Sequence, residues 1–350
     1  MMSLSKLVLS QGNDYSSKEE ICRQAGFSLI ETEFTSSPPW LDERVAVVLP
    51  VYNVRSSLPR TLLSLEHQIY KPSEVIVVQD GSPEDHEDLI DAALVSYDLH
   101  FIRNERNKDR SFARNCGIAL ASCPTILILD PDLVLNPGYI LNIATRQQVL
   151  EDTVFIGFKH HVKADDPRIS DEAIRSRRVD PDLTKDWRVI REYTPSITAP
   201  NFLQEKEQHA RQLSLLYESD HFKTLGKGKV LGAWDLPSIV LGQSICCKRK
   251  KMIEVGGFVD TFTGWGHDDI AFATRVIAAG SYIVPSVHSR AFHIDHPPHS
   301  GSMERKLEEF RSNLQQFLQF VETAPDTVFR GYPSHKICSK ANKHYYRGPV

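Results

Sequence analysis

Long apolar runs are missing from this chain of 350 residues: nothing approaches the ~18 apolar residues that a membrane-spanning helix needs. Met1 to Ser17 lacks the apolar core of a secretory signal. An excess of positive charge is missing too. The net charge is −4, so no broad basic field is available for nucleic acid or an anionic membrane. The six cysteines, at positions 22, 116, 123, 246, 247 and 338, contain no C-x-x-C pair, which removes a zinc ribbon and a dithiol redox motif. Cys246 and Cys247 sit in an apolar stretch and read as small buried hydrophobes, so a reducing compartment is expected. Together these absences predict a cytoplasmic protein, unless a secretion signal of another kind exports it.

Several catalytic signatures are absent as well. No G-x-G-x-x-G follows the first apolar run, no G-x-x-x-x-G-K-[ST] occurs, and there is no G-x-S-x-G elbow. These gaps argue against a dinucleotide-binding fold, a P-loop NTPase and an α/β-hydrolase. What remains is a soluble-type composition, 41% hydrophobic and 25% charged, in a length that suits one large or two moderate domains.

The organising stretch is Ile126-Leu-Ile-Leu-Asp-Pro-Asp132. Four apolar residues suit a buried strand, and Pro131 stops it between two carboxylates. Acids so placed suit a divalent cation with hard oxygen ligands. An acidic turn accounts for these three residues equally well when they are taken alone.

Order is expected from Arg44 onward, with 1–43 a polar extension. Val45 to Leu49 reads as a buried parallel strand broken by Pro50. A helix follows on Leu58, Leu62, Leu65 and Ile69, with Ser57 as N-cap. Further strands are predicted at Glu74–Gln79 and Leu99–Arg103, and helices at Asp88–Tyr97 and Ser111–Ala121. This alternation predicts an α/β fold with a doubly wound, mostly parallel sheet. Ligands bind such sheets beyond the carboxyl ends of the strands, where Tyr52, Asn53, Asp80, Ser82, Asp130 and Asp132 fall. Asn201–Phe222 reads as helical, Ser281–Val284 as a strand, and Met303–Val321 as an amphipathic helix that packs on the sheet or on a second copy of the chain. Lys336 to Arg347 is a basic tail.

The residues Pro50-Val-Tyr52-Asn53, Asp80-Gly-Ser82, Arg110-Ser-Phe-Ala-Arg114-Asn115 and Asp130-Pro-Asp132 resemble, in order and spacing, the nucleotide-binding half of GT-A fold glycosyltransferases, of the family 2 and chondroitin-polymerase type. Gly256-Gly-Phe258 and Phe262-Thr-Gly-Trp265-Gly266-His-Asp268-Asp269 are similar to the acceptor-side motif of galactosyl- and N-acetylgalactosaminyltransferases. That motif usually reads Gly-Trp-Gly-x-Glu-Asp, so Asp268 is a shortened replacement. The resemblance covers roughly 44–145 and 238–300. It implies a glycosyltransferase domain over 44–300, with a nucleotide half at 44–150, a variable insert at 151–237, an acceptor and metal half at 238–300, and a C-terminal helix and tail at 301–350.

The resemblance also implies roles. Tyr52 would stack on uracil and Asp80 would accept from the base. Pro50, Asn53, Ser82, Arg110, Arg114 and Asn115 would line the nucleotide and its diphosphate. Asp132 and a histidine after the acceptor motif, His293 first and His296 second, would hold Mn²⁺ or Mg²⁺, with Asp130 reaching the ribose or the metal. Trp265 and Gly266 would line the sugar pocket. Asp269 would be the base, beside Asp268, in an inverting displacement from a UDP-hexose or UDP-N-acetylhexosamine donor to a carbohydrate or other hydroxyl acceptor. Plainer readings stand beside these: turn residues at Asp80, a solvated basic helix end at Arg110 and Arg114, helix-capping acids at Asp268 and Asp269, and surface histidines. Gly226 to Trp234 reads as a lid over the donor or as a connecting loop. A sugar nucleotidylyltransferase would need a Gly-rich loop with a catalytic Arg or Lys where Tyr52-Asn53 stand, and a non-catalytic carbohydrate-binding protein would not need the full acid set.

Overall fold

The computed structural model describes residues 2–11, 14–186, 239–296 and 301–323, and the backbone of 343–347. The expected helix at Asn201–Phe222 and the candidate lid ending at Trp234 lie outside the described residues, as does the start of the basic tail.

Among the described residues nine strands form one sheet: β1 (Val45–Val51), β2 (Glu74–Asp80), β3 (Asp98–Asn104), β4 (Thr125–Leu129), β5 (Leu133–Leu135), β6 (Thr153–Val162), β7 (Ser244–Lys248), β8 (Tyr282–Ile294) and β9 (Lys343–Arg347). Their spatial order is β5-β8-β6-β7-β4-β1-β2-β3-β9. Strands β1 to β4 are parallel as expected, with β1 between β4 and β2, and β2 beside β3. The other half is mixed: β7 runs antiparallel to both β4 and β6, and β5 to β8, while β6 and β8 are parallel. The chain adds β2 and β3 on one side of β1 and then β4 on the other. The crevice of an open α/β sheet therefore opens between the carboxyl ends of β1 and β4.

Local chemistry explains these elements. Val45 to Leu49, Val75 to Val78 and Ile126 to Leu129 are apolar on both faces and fully buried, as central parallel strands require. Pro50 does not break β1. The β4 pairing has already ended at Val48↔Ile128, so the missing N–H is tolerated on that side. The helix expected over Asp88–Tyr97 spans only Glu87–Ala92. Val95 and Tyr97 turn into the core instead, where the Tyr97 hydroxyl donates to the Leu62 carbonyl.

Residues before Arg44 are ordered and belong to the core. Helices Leu4–Ser10 and Ser16–Gln24 bury Leu4, Val8 and Cys22 completely. Arg146 donates to the carbonyls of Leu29, Ile30 and Thr32, which fixes the following turn, and burial lowers its guanidinium to about 10. At the other end, helix Met303–Phe320 packs against the segment after β7 rather than on the sheet face. Phe317 and Val321 meet Val259, Phe262 and Ala271. Leu318 of the same helix points outward. The tail strand β9 pairs with β3 at the sheet edge.

Candidate active site

The acidic turn and its histidine meet through strand register. After Asp130-Pro131-Asp132 the chain enters β5, which runs antiparallel to the end of β8 with Leu133 opposite His293. The Ile294 N–H then donates to the Asp132 carbonyl at 3.0 Å. β8 is far longer than the strand expected at Ser281–Val284. A shift in its pairing between Ile156 and Phe158 absorbs the four residues between Pro285 and Arg290. His293 is thus a strand residue rather than part of a Pro-rich loop.

Candidate ligand atoms of Asp130, Asp132 and His293 lie within 4.8 Å of one another. Asp132 is buried, 3.6 Å from His293 Nε2 and 3.2 Å from His296 Nε2. Its Oδ1 and the His293 Nδ1 are buried without a hydrogen-bond partner. Such atoms are costly to leave unmatched, and a cation on Asp132 Oδ1 would remove part of that cost. Burial drives the His293 imidazole down to about 4, against the pull of Asp132, so it is neutral, the form a metal binds. Two carboxylates and an imidazole are a donor set that could hold a divalent cation. His161, His293 and Asp295 form a second such group, with His161 and Asp295 exposed.

The acceptor-side acids are tied to this cluster. Helix Asp109–Leu120 carries Arg114 inward, where it is 2% exposed. One guanidinium nitrogen donates to Asp268 at 2.5 Å, another lies 3.5 Å from Asp130, and the plane faces the Phe258 ring at 5.0 Å. Arg114 therefore bridges the two acid groups. Asp268, the shortened member of the motif, is consumed in that ion pair. Asp269 accepts from Gly242 N–H at 2.9 Å and Ile270 N–H at 2.8 Å. Burial, then the Asp268 charge, raises its carboxyl to about 6, against Arg114 and the two N–H donors. Arg110, one turn before Arg114, is half-buried. Burial disfavours its charge, but Asp268, Asp130 and Asp269 outweigh that and hold it above its ordinary value.

Two residues expected on the nucleotide also make structural hydrogen bonds within the protein. Asn115 donates to the Phe258 carbonyl and accepts from the Phe258 N–H, both at 2.8 Å, which clamps the glycine turn of Gly256-Gly257. Asp80 is 3% exposed, and its two oxygens accept from Asn104 Nδ2 at 2.9 Å and Lys108 N–H at 2.8 Å. Burial raises its carboxyl in spite of those bonds. Ser82 Oγ accepts from Asn53 N–H at 3.1 Å, joining the ends of β1 and β2, while Tyr52 is half-buried beside them.

The Gly264–His267 loop is supported from the far end of the chain. Asn313, buried, donates to the carbonyls of Thr263 and Trp265, and Glu309 accepts from Trp265 N–H. The Trp265 ring lies 4.8 Å from Phe310, with Lys306 Nζ 4.4 Å from its centroid, so part of its face is already covered. A Cβ on Gly266, whose φ is +101°, would strike Phe310.

Sequence reasoning missed Gly242, Gln243, Asn313 and Phe310. The one available signal was Gly242-Gln243 interrupting the apolar run Ile239 to Ile245. A Cβ at Gly242 would collide with the Arg114 guanidinium, so this glycine makes room for the bridge.

Residues 46–227 match the family model described as glycosyl transferase family 2, and residues 238–297 match that described as the N-terminal domain of galactosyltransferase. The chain is similar to a hyaluronan synthase of Pasteurella multocida, at 26% identity over 75% of this chain and 26% of the relative. It is also similar to a chondroitin synthase of Escherichia coli, at 25% identity over 75% of this chain and 36% of the relative. It thus spans only about a quarter to a third of the length of these relatives. A solved structure of GalNAc-T7 with UDP, GalNAc and Mn²⁺ has a TM-score of 0.51 at 13% identity, covering 91% of this chain and 56% of that one, a likeness of fold.

Proposed function

The chain belongs to glycosyl transferase family 2, and on that premise we propose that it is a metal-dependent glycosyltransferase. It would move a hexose or N-acetylhexosamine from a UDP-sugar to an acceptor hydroxyl in a single inverting displacement. The observation that carries this reading is the joining of Asp130, Asp132 and His293 to Asp269 through the Arg114–Asp268 bridge. The similarity to a hyaluronan synthase and a chondroitin synthase supports it.

Asp132 and His293, with Asp130, would hold Mn²⁺, which when bound supplies Lewis-acid stabilisation of the departing diphosphate. Asp269 takes the acceptor hydroxyl proton on its carboxylate as that oxygen attacks the anomeric carbon, and the bond to the UDP oxygen breaks. A carboxyl raised to about 6 is a stronger base than an ordinary aspartate and is still ionised at neutral pH. Asp268 stays paired with Arg114 and keeps Asp269 oriented. Tyr52 is the surface proposed for the base, and Arg110, whose charge is favoured by Asp268, Asp130 and Asp269, is the cation proposed for the diphosphate.

The test is release of UDP from a panel of UDP-sugars with Mn²⁺, with and without hydroxyl acceptors. Turnover of at least one UDP-hexose or UDP-N-acetylhexosamine that chelation abolishes is expected. Activity unaffected by chelation would contradict the metal assignment, and no UDP release from any donor would contradict the reaction.

A further inference from the structure

Gln243 is 4% exposed, and neither its amide oxygen nor its amide nitrogen has a hydrogen-bond partner. A primary amide carries two N–H donors and an oxygen with two lone pairs, so a wholly unmatched buried amide is an uncommon and unfavourable arrangement. Nothing about packing calls for it. Leucine or methionine would fill similar space at this position without that penalty.

Register says where the side chain projects. β4 and β7 are antiparallel with Leu129 opposite Ser244, and the Asp130 N–H donates to the Gln243 carbonyl at 3.0 Å, which extends the ladder by one pair. Residues directly opposite in such a ladder project from the same face with Cβ atoms ~5 Å apart. Gln243 therefore shares a face with Asp130, a member of the candidate metal cluster. The preceding N–H, that of Gly242, holds Asp269 at 2.9 Å. Gln243 thus stands between the proposed metal ligands and the proposed base. In a displacement at the anomeric carbon, the transferred sugar occupies that interval.

We propose that Gln243 binds the transferred sugar of the donor: its amide oxygen accepts from one hydroxyl while its N–H donates to a neighbouring hydroxyl or N-acetyl carbonyl. This rests on the glycosyl-donor reading above. It makes Gln243 a specificity-determining residue, because a donor lacking either substituent leaves half of the amide unmatched.

Calorimetry with UDP and with a panel of UDP-hexoses and UDP-N-acetylhexosamines in Mn²⁺, alongside donor turnover and thermal melts, tests this on wild type, Gln243→Leu and Gln243→Glu. For Gln243→Leu we expect UDP affinity within about twofold of wild type and donor kcat/KM lower by about 10–100-fold. The preference among donors should collapse, and the ligand-free Tm should rise by about 2–4 °C as the unmatched amide is removed. Gln243→Glu, which keeps an acceptor and loses the donor, should retain part of the discrimination. If Gln243→Leu does not fold, Gln243→Asn, which withdraws the amide by one methylene, is read by the same criteria. Unchanged donor preference and kcat/KM would overturn the assignment alone. So would a Tm and UDP affinity that fall together, since that marks a structural role. A wild-type protein that binds UDP and Mn²⁺ but no UDP-sugar would overturn the donor reading as well.

Discussion

The strand-end half of the site and the acceptor-side loop are positioned by different means. At the ends of β1, β2 and β4, polar residues arrive together because parallel strands stop at one edge, and short-range bonds such as Asn53 N–H to Ser82 fix them. The loop from Gly264 to His267 has no strand to fix it. It depends on Asn313, Glu309 and Phe310, about 45 residues later in the chain, and its acids depend on Arg114, 154 positions earlier than Asp268. One half is held by the sheet and should tolerate loss of single side-chain contacts. The other is held by a few long-range contacts and should not.

The largest expected effect breaks the acceptor-side half at its chemical centre. Asp269→Asn should lower transfer by about 10²–10⁴-fold, the usual worth of a general base, while UDP and Mn²⁺ binding stay within about twofold. Surviving transfer would reassign the base. On the strand-end side, Asp132→Ala should weaken Mn²⁺-dependent UDP binding by roughly 100-fold, measured by titration with and without the ion. Equal binding in both conditions would remove Asp132 from the metal set.

A pH series sharpens the comparison at a single carboxyl. Asp269 acts ionised and is raised to about 6 by burial and Asp268, opposed by Arg114, Gly242 N–H and Ile270 N–H. kcat/KM should therefore fall about tenfold per unit below pH 6, after allowing for metal loss. Stability runs the other way. The folded carboxyl holds its proton more tightly than the unfolded chain, so its contribution is fully present below the ordinary aspartate range and lost as pH rises through 6. Asp269→Asn should accordingly melt higher than wild type above pH 6 and lose that advantage near pH 4. The smallest effect belongs to the support. Asn313→Ala removes two bonds to loop carbonyls, at about 1 kcal/mol each, and should lower kcat several-fold and Tm slightly while sparing UDP affinity. An equal loss of UDP affinity would mean that the two halves are not independently held.

Legibility in the sequence follows the same division. Apolar runs ending in polar residues identified β1, β2 and β4, because a buried parallel strand needs both faces apolar and its end is where polar residues can begin. Asp130, Asp132 and His293 were assigned from a resemblance, and the register of β5 on β8 now gives a physical reason for their meeting. The same pattern could not show which polar residues serve the fold. Asn115 and Asp80 look like ligand contacts in the chain, yet their hydrogen bonds go to Phe258, Asn104 and Lys108, partners 143, 24 and 28 positions away. The core role of residues before Arg44 was hidden too, since Arg146 acts on carbonyls, which carry no sequence signature. Gly242 reads as an ordinary glycine until Arg114 is placed beside it.

The most direct test is the anomalous scattering of manganese in crystals of the full chain soaked with UDP and Mn²⁺. The account predicts one peak ~2 Å from oxygen or nitrogen ligands of Asp132 and His293, with the UDP diphosphate on the same ion and Asp269 facing the same cavity. A peak on His161 and Asp295 instead, or UDP bound away from the β1–β4 crevice, would contradict it.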